Sequence, residues 1–370
     1  MQEEDARRAN RYGYSRHAKA LPLYTKADAR RAIAQFVPLA PGRELKIGAG
    51  RVRLTPVGHL LGACAIRLEH RGTRLLFSGD VGRSEDLLMP PPLPPEAADV
   101  VLVESTYGNR EHVVEDSAAR LATIVRETAA RGGSVVMPAF AVGRAQALLL
   151  VLQRLRAAGA IPHELPIFLD SPMATEATAL YRHHGSLLRV KARELATLMD
   201  GVRVVAEAGG SMRLSTARFP RIIISASGMA TGGRVLHHLE ALAPDDRHAI
   251  VFAGFQVGGS RGARLVAGER EVKIHGEYVP VRAAVHHLQG FSGHADRREL
   301  LQWLRSMPAV TGAGGTSGVS SVSRMAASGP SRTFVVHGEP DAADSLRLAI
   351  VRELGWRDVR VPQHGETVTL

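Results

Sequence analysis

Two stretches, Arg74-Leu75-Leu76-Phe77-Ser78-Gly79-Asp80 and Val100-Val101-Leu102-Val103-Glu104-Ser105-Thr106, each place a short apolar run directly before a turn built from small polar residues and a carboxylate. Runs this short, rich in Val, Leu and Phe and bounded by turn residues, read as buried strands. The same order recurs at 135–137 before Pro138-Ala139-Phe140, 167–169 before Asp170-Ser171-Pro172, 222–224 before Ser225-Ala226-Ser227-Gly228, 249–253 before Gly254-Phe255, and 334–336 before His337-Gly338-Glu339. Most of these runs are followed by an amphipathic helical pattern, which predicts an α/β architecture. Glycine and polar residues at the C-terminal ends of strands are where such sheets place their ligands.

Helices are predicted at 117–130, closed by Gly132-Gly133, and at 144–158, closed by Gly159, because glycine adopts the left-handed conformation that ends a helix. Others fit 233–241, 296–306 and 341–354, the last entered through Pro340 at a first-turn position. Residues 90–95 read as a stiff polyproline connector, and 309–332, dominated by Gly, Ser, Thr and Ala, as a flexible loop. No internal repeat is visible.

A chain of 370 residues exceeds the usual single-domain size, and two domains are expected. It has no uninterrupted apolar run long enough to span a bilayer, and residues 1–11 are charged rather than signal-like, so a soluble cytoplasmic protein is expected with no membrane association. The single cysteine, Cys64, excludes an intrachain disulfide and a cysteine-cluster metal site, so a metal would have to use His and carboxylate. The net charge of +11 suits a polyanionic partner such as nucleic acid, because Lys and Arg neutralise phosphates and release counterions. Nearly all the cations are Arg, however, so charge alone decides nothing.

Sixteen histidines are available. His59, in Pro56-Val57-Gly58-His59-Leu60-Leu61-Gly62, reads by itself more readily as a satisfied core or turn histidine than as a ligand. Asp80 follows an apolar strand and a Ser-Gly turn, where a carboxylate has no packing role, although an Asx-turn or helix cap would also put one there. The combination is more specific. His59, Asp80, Glu104, His294 in Phe291-Ser292-Gly293-His294-Ala295-Asp296, and His337 all fall at strand ends or turns.

These segments resemble motifs 3, 4, A, B and C of the β-CASP branch of the metallo-β-lactamase superfamily, in their expected order. The segments Pro138-Ala139-Phe140-Ala141-Val142-Gly143-Arg144, Asp170-Ser171-Pro172-Met173-Ala174 and 225–233 are similar to parts of the inserted β-CASP domain itself. The resemblance covers the chain apart from 309–332 and is close to the prokaryotic RNA exonuclease and endonuclease members and to the nuclease subunit of the eukaryotic pre-mRNA 3′-end machinery. It implies an αββα metallo-β-lactamase domain from 1–107 and 286–370, with an α/β β-CASP domain inserted over 108–285.

The function it implies is zinc-dependent hydrolysis of RNA phosphodiesters by a two-metal mechanism, endonuclease versus exonuclease action being left open. Carried over position by position, Asp80 would bridge two Zn2+ ions, with His59 binding one and His337 the other. His294, paired with Glu104, would protonate the leaving oxygen, the carboxylate orienting the imidazole and raising its basicity. The turn carrying Ser227, Gly228, Thr231, Gly232 and Arg234 leads into a helix and would cradle RNA phosphate, as would Arg144 and the Ser292-Gly293 pair. Ordinary capping by Ser, Thr and Gly is the competing reading of those turns. A homodimer is an open assembly, and an inactive subunit that binds RNA or a partner nuclease is the alternative function. A small-molecule metallo-β-lactamase is disfavoured by the insertion.

The family's principal metal signature, His-x-His-x-Asp-His, occurs nowhere in the 370 residues. In relatives it precedes the region that matches 1–25 here. The chain as given is therefore expected to hold zinc weakly and singly, and its first sheet is expected to be incomplete, with an exposed edge.

Overall fold

The computed structural model describes residues 2–13, 15–113, 115–309 and 329–369. The strands among them are β1 (Glu44–Ile47), β2 (Gly50–Pro56), β3 (Cys64–His70), β4 (Thr73–Phe77), β5 (Val100–Glu104), β6 (Val135–Pro138), β7 (Ile167–Asp170), β8 (Val202–Val204), β9 (Ile222–Ser225), β10 (Ala249–Ala253), β11 (Glu271–Ile274), β12 (Glu277–Pro280), β13 (Ala284–Leu288), β14 (Arg332–Val336) and β15 (Val359–Arg360). All seven predicted strands form, each within a residue or two of its expected limits. The chain divides into two compact units, one of Met1–Pro38, Val114–Gly185 and Lys191–Ser292, the other of Leu39–Val113, Ser186–Val190 and Gly293–Leu370.

The second unit carries a seven-stranded sheet in the order β1-β2-β3-β4-β5-β14-β15. Strands β1 to β4 run as an antiparallel meander, and β4, β5 and β14 pair in parallel with Phe77 opposite Leu102 and Val336 opposite Glu104. That register brings the C-terminal ends of β4, β5 and β14 out side by side. Two chain reversals separate β2 from β4, so β2 also ends at this edge of the sheet. The sequence reading does not mark β1 to β3, because charged residues break up their apolar ones, as in Arg51-Val52-Arg53-Leu54. β1 lies at one edge of the sheet and all its residues are exposed.

A core of Val57, Leu76, Val101, Val103 and Val335 from this sheet packs with Leu300, Leu301, Trp303 and Leu304 of the helix Arg297–Arg305 and with Leu346 of the helix Pro340–Ala349. Each such side chain contributes roughly 1.5–3 kcal/mol by leaving water. The helix Arg297–Arg305 starts from a capping box in which Asp296 accepts from the Glu299 amide and Glu299 accepts from the Asp296 amide. This fixes the helix N-cap two residues after His294.

The first unit carries a six-stranded parallel sheet in the order β13-β10-β6-β9-β7-β8. Its helices include Ser117–Ala130 and Arg144–Ala157, as predicted, together with Pro172–His183 and Val235–Leu242. The hairpin β11–β12 packs Val272, Ile274 and Val279 into the same core as Leu236, Leu239, Val136, Ile223 and Phe252. Residues 90–95 hold no helix or strand, as a polyproline connector would not, and 309–332 lies mostly outside the described residues. No helix among the described residues is long and apolar enough to cross a membrane.

Candidate metal centre and phosphate-binding turns

At the shared strand edge of the second unit, the turn after β2 supplies His59, the turn after β4 Asp80, β5 ends on Glu104, and His337 follows β14. His294 joins them through a bridge pairing with Gly82, reinforced by the Ala295 amide donating to the Val81 carbonyl at 2.8 Å. Gly82 is required here, because a Cβ at that position would stand 2.1 Å from the Gly58 carbonyl oxygen. Glycine thus lets the His59 turn and the Asp80 turn pass backbone against backbone.

The two oxygens of Asp80 face different imidazoles. Oδ2 lies 3.8 Å from His59 Nε2 and Oδ1 lies 3.3 Å from His337 Nδ1. His59 Nδ1–H donates to the Gly293 carbonyl at 3.1 Å, which puts the lone pair on Nε2, toward Asp80. Burial, with the His294 ring beside it, pushes the His59 pKa below its ordinary value and keeps the imidazole neutral, the form that binds metal. His337 is exposed and held in a left-handed conformation, φ 55°, with its carbonyl accepting from Thr106 Oγ1 at 3.3 Å.

Glu104 is 1% exposed and its carboxylate accepts from the Val81 amide at 2.8 Å, the Thr106 amide at 3.0 Å and His294 Nδ1 at 3.1 Å. Burial alone would raise its pKa, but the hydrogen bonds and charge attraction from His294, with those from Thr106, outweigh it and leave the pKa below normal. Glu104 is thus an ionised anchor for the His294 ring. On the far side, His112 Nε2 lies 2.9 Å from the His294 carbonyl and the His112 amide donates to Asp296 at 2.8 Å. His112, which belongs to none of the motifs read in the sequence, is thus a support of the site. Ser78 is another support, its Oγ accepting from the Glu104 amide at 3.0 Å, and only its place in Ser78-Gly79-Asp80 hinted at this.

Chemically, neutral imidazole nitrogens and a carboxylate suit Zn2+. Donors about 2.0–2.2 Å from a tetrahedral ion stand roughly 3.3–3.6 Å apart, close to the Asp80 separations. His59, Asp80 and His294 also offer donor atoms within 4.8 Å of one another. Proximity by itself would therefore admit His294 as a ligand, but its Nδ1 is bound to a buried carboxylate, which orients the ring equally well for proton transfer.

In the first unit, the predicted phosphate-binding residues separate into two groups. Ser227 Oγ accepts from the Thr231 amide at 3.1 Å and the Gly232 amide at 3.4 Å, so it closes its own turn. Gly228 lies against Phe140, where a Cβ would stand 2.9 Å from the Phe140 amide nitrogen. Arg234 turns into the protein, donating to Asp170 at 2.9 Å and to the Val205 and Ala206 carbonyls at 2.8 and 2.9 Å. Asp170 is fully buried and also bound by His238 Nε2 at 2.7 Å. Burial pushes its carboxyl up, yet these partners hold it below the carboxylate range. Arg144 and Ser292 come together, for a Cβ on Gly254 would lie 3.8 Å from Arg144 Nε and 3.6 Å from Ser292 Cα.

A Beta-Casp domain matches residues 145–265, and a Zn-dependent metallo-hydrolase RNA specificity domain matches 278–310. Ribonuclease TTHA0252 of Thermus thermophilus is 38% identical over 357 residues, covering 94% of this chain and 76% of that protein. The chain belongs to the β-CASP family of metallo-β-lactamase-fold nucleases. Transcription termination factor FttA of Pyrococcus abyssi is 31% identical over 369 residues, and that of Thermococcus kodakarensis 32% over 371, each covering 94% of this chain and 53% of the relative. The chain thus spans about half the length of these FttA proteins. Within this β-CASP chain, the first match takes in the turn from Ser227 to Arg234, and the second takes in Ser292, Gly293 and His294.

Proposed function

We propose that this β-CASP protein hydrolyses RNA phosphodiester bonds at a zinc centre, with His59, Asp80 and His337 as metal ligands and His294, oriented by Glu104, as the general acid. The observation that carries this reading is the placement of Asp80, each of whose oxygens faces a different histidine, the disposition of a carboxylate that bridges two ions. Bound there, a metal pair would supply hydroxide near neutral pH and neutralise charge on the phosphate. The protein's own groups do the rest. Neutral His59 offers Nε2, with its other nitrogen tied to Gly293. His294, held by Glu104 through Nδ1, would carry on Nε2 the proton for the leaving oxygen. Arg144 and Ser292 support the reading of a phosphate-binding surface.

The ligand count sets the test. Three donors at matching positions are too few for two ions, so in the 370-residue chain the Asp80 centre should hold well under one zinc and cut RNA poorly, if at all. Fused to an N-terminal segment bearing His-x-His-x-Asp-His, that centre should gain two zincs and zinc-dependent cleavage together. In the fusion, Asp80→Asn should abolish cleavage and the zinc held at that centre, and His294→Ala should slow cleavage about 10²–10⁴-fold with that zinc retained. Zinc loss in His294→Ala would make His294 a ligand, and a zinc-loaded fusion that cuts no RNA would sink the proposed function.

A further inference from the structure

A second cluster of metal-ligating side chains lies in the first unit, on surfaces that the catalytic reading does not use. His237 and Glu240 stand one helical turn apart on the helix Val235–Leu242, and His275 sits in the turn of the β11–β12 hairpin. One nitrogen or oxygen from each lies within 4.8 Å of the others. His275 Nδ1 is 2.9 Å from Glu240 Oε2, and the rings of His237 and His275 are 5.1 Å apart between centroids. Glu240 is exposed, and both histidines are half-buried.

We propose that His237, Glu240 and His275 form a divalent transition-metal site of the zinc class, which clips the β11–β12 hairpin to the helix Val235–Leu242. Two imidazoles and one carboxylate are a zinc donor set, and three protein ligands leave a fourth position for water. One donor atom from each already lies within 4.8 Å of the others, and tetrahedral coordination would set them at roughly 3.3–3.6 Å. Their backbones are fixed beneath them, because Val272, Ile274 and Val279 of the hairpin and Leu236 and Leu239 of the helix share one core. The turn itself argues for a selected side chain. His275 and Gly276 both have positive φ, 49° and 98°, the signature of a two-residue hairpin turn that favours Asn-Gly. A histidine stands where asparagine would fit the backbone better.

The third cluster, His112 with Asp296 and Glu299, differs. Its carboxylates already accept backbone amides in the capping box and from His112, so they are engaged in holding the fold.

Because the candidate catalytic centre also binds metal on the reading above, the test removes that contribution first. In the full chain carrying Asp80→Asn and His337→Ala, zinc titration by calorimetry should show one site per chain. It should be lost on adding His275→Asn, a substitution the turn accommodates, and also on adding Glu240→Gln. Cobalt(II) should give visible tetrahedral absorption bands that vanish with the same changes. Zinc should slow amide exchange across 271–280 in the parent and leave it unchanged in the His275→Asn protein. Equal zinc uptake with and without His275→Asn, or hairpin exchange indifferent to zinc, would overturn the proposal. Either result would leave the catalytic reading untouched.

Discussion

Replacing Glu104 by Gln asks whether this buried group stabilises the fold as a charge or only as a shape. The carboxylate accepts three hydrogen bonds, from Val81 and His294 on Oε1 and from Thr106 on Oε2. A carboxamide has one acceptor oxygen. Set toward Val81 and His294, it turns its NH2 against the Thr106 amide, so one charge-assisted bond is lost and one buried donor is stranded. Each hydrogen bond to a charged group is worth about 1.5–3 kcal/mol, and the reverse orientation would lose two of them. The expected destabilisation is therefore about 2–3 kcal/mol at pH 7. The opposing effect is that a neutral amide is easier to bury than a carboxylate. Glu104 decides between them, since its pKa is lowered despite burial, so the hydrogen bonds win in the native state. The linkage follows: a folded pKa below the unfolded value gives stability that is present above the unfolded value and lost as pH falls through the folded one. Both tryptophans, Trp303 and Trp356, lie in the core of this unit, so their fluorescence during guanidinium unfolding reports on it. Glu104→Gln should lower the midpoint and flatten the acid dependence. A midpoint equal to or above wild type at pH 7 would refute the account.

Three further expectations concern other parts of the chain. His248 Nδ1 accepts from the Ser134 amide at 2.8 Å, and burial, with nearby Arg247, Arg221 and Arg131, holds its pKa below the ordinary 6.5 against the pull of Asp245. The first unit should therefore be most stable above pH 6.5 and lose stability as pH falls below it, an effect that His248→Gln should reduce in urea unfolding followed by circular dichroism. Arg144→Ala should weaken RNA binding and cut the salt slope by about one, whereas Arg234→Ala should chiefly destabilise the fold, toward the low end of about 3–5 kcal/mol because the guanidinium is partly exposed. Equal salt slopes for wild type and Arg144→Ala would remove Arg144 from the phosphate contacts. Gly82→Ala should lower the thermal midpoint and loosen His294, because its Cβ would overlap the Gly58 carbonyl; an unchanged midpoint would mean that the two turns can part freely.

The sequence made the parallel strands legible because they are buried on both faces and read as unbroken apolar runs. β5 and β9 are examples, and each ends in a residue type with no packing role there. The strands β1 to β3 were not read, since charged residues interrupt the apolar ones and leave no unbroken apolar run. Site residues at strand ends were accessible for the same reason as the strands, and Asp80, Glu104 and His337 converge because β4, β5 and β14 are adjacent and parallel. What no linear pattern shows is the partner of a side chain. Arg234 follows a glycine-rich turn that looks built for phosphate, yet it reaches a carboxylate 64 positions earlier in the chain. Asp170 is that carboxylate, which the sequence marks as a polar residue after a strand and as the start of a family-like segment, with no sign of its partner. Its burial makes the pairing necessary, because an ionised group at 0% exposure is stable only with its charge met. His238 meets it from the adjacent turn of the same helix, and so the glycine-rich turn is held from beneath by a network whose members looked unrelated in sequence.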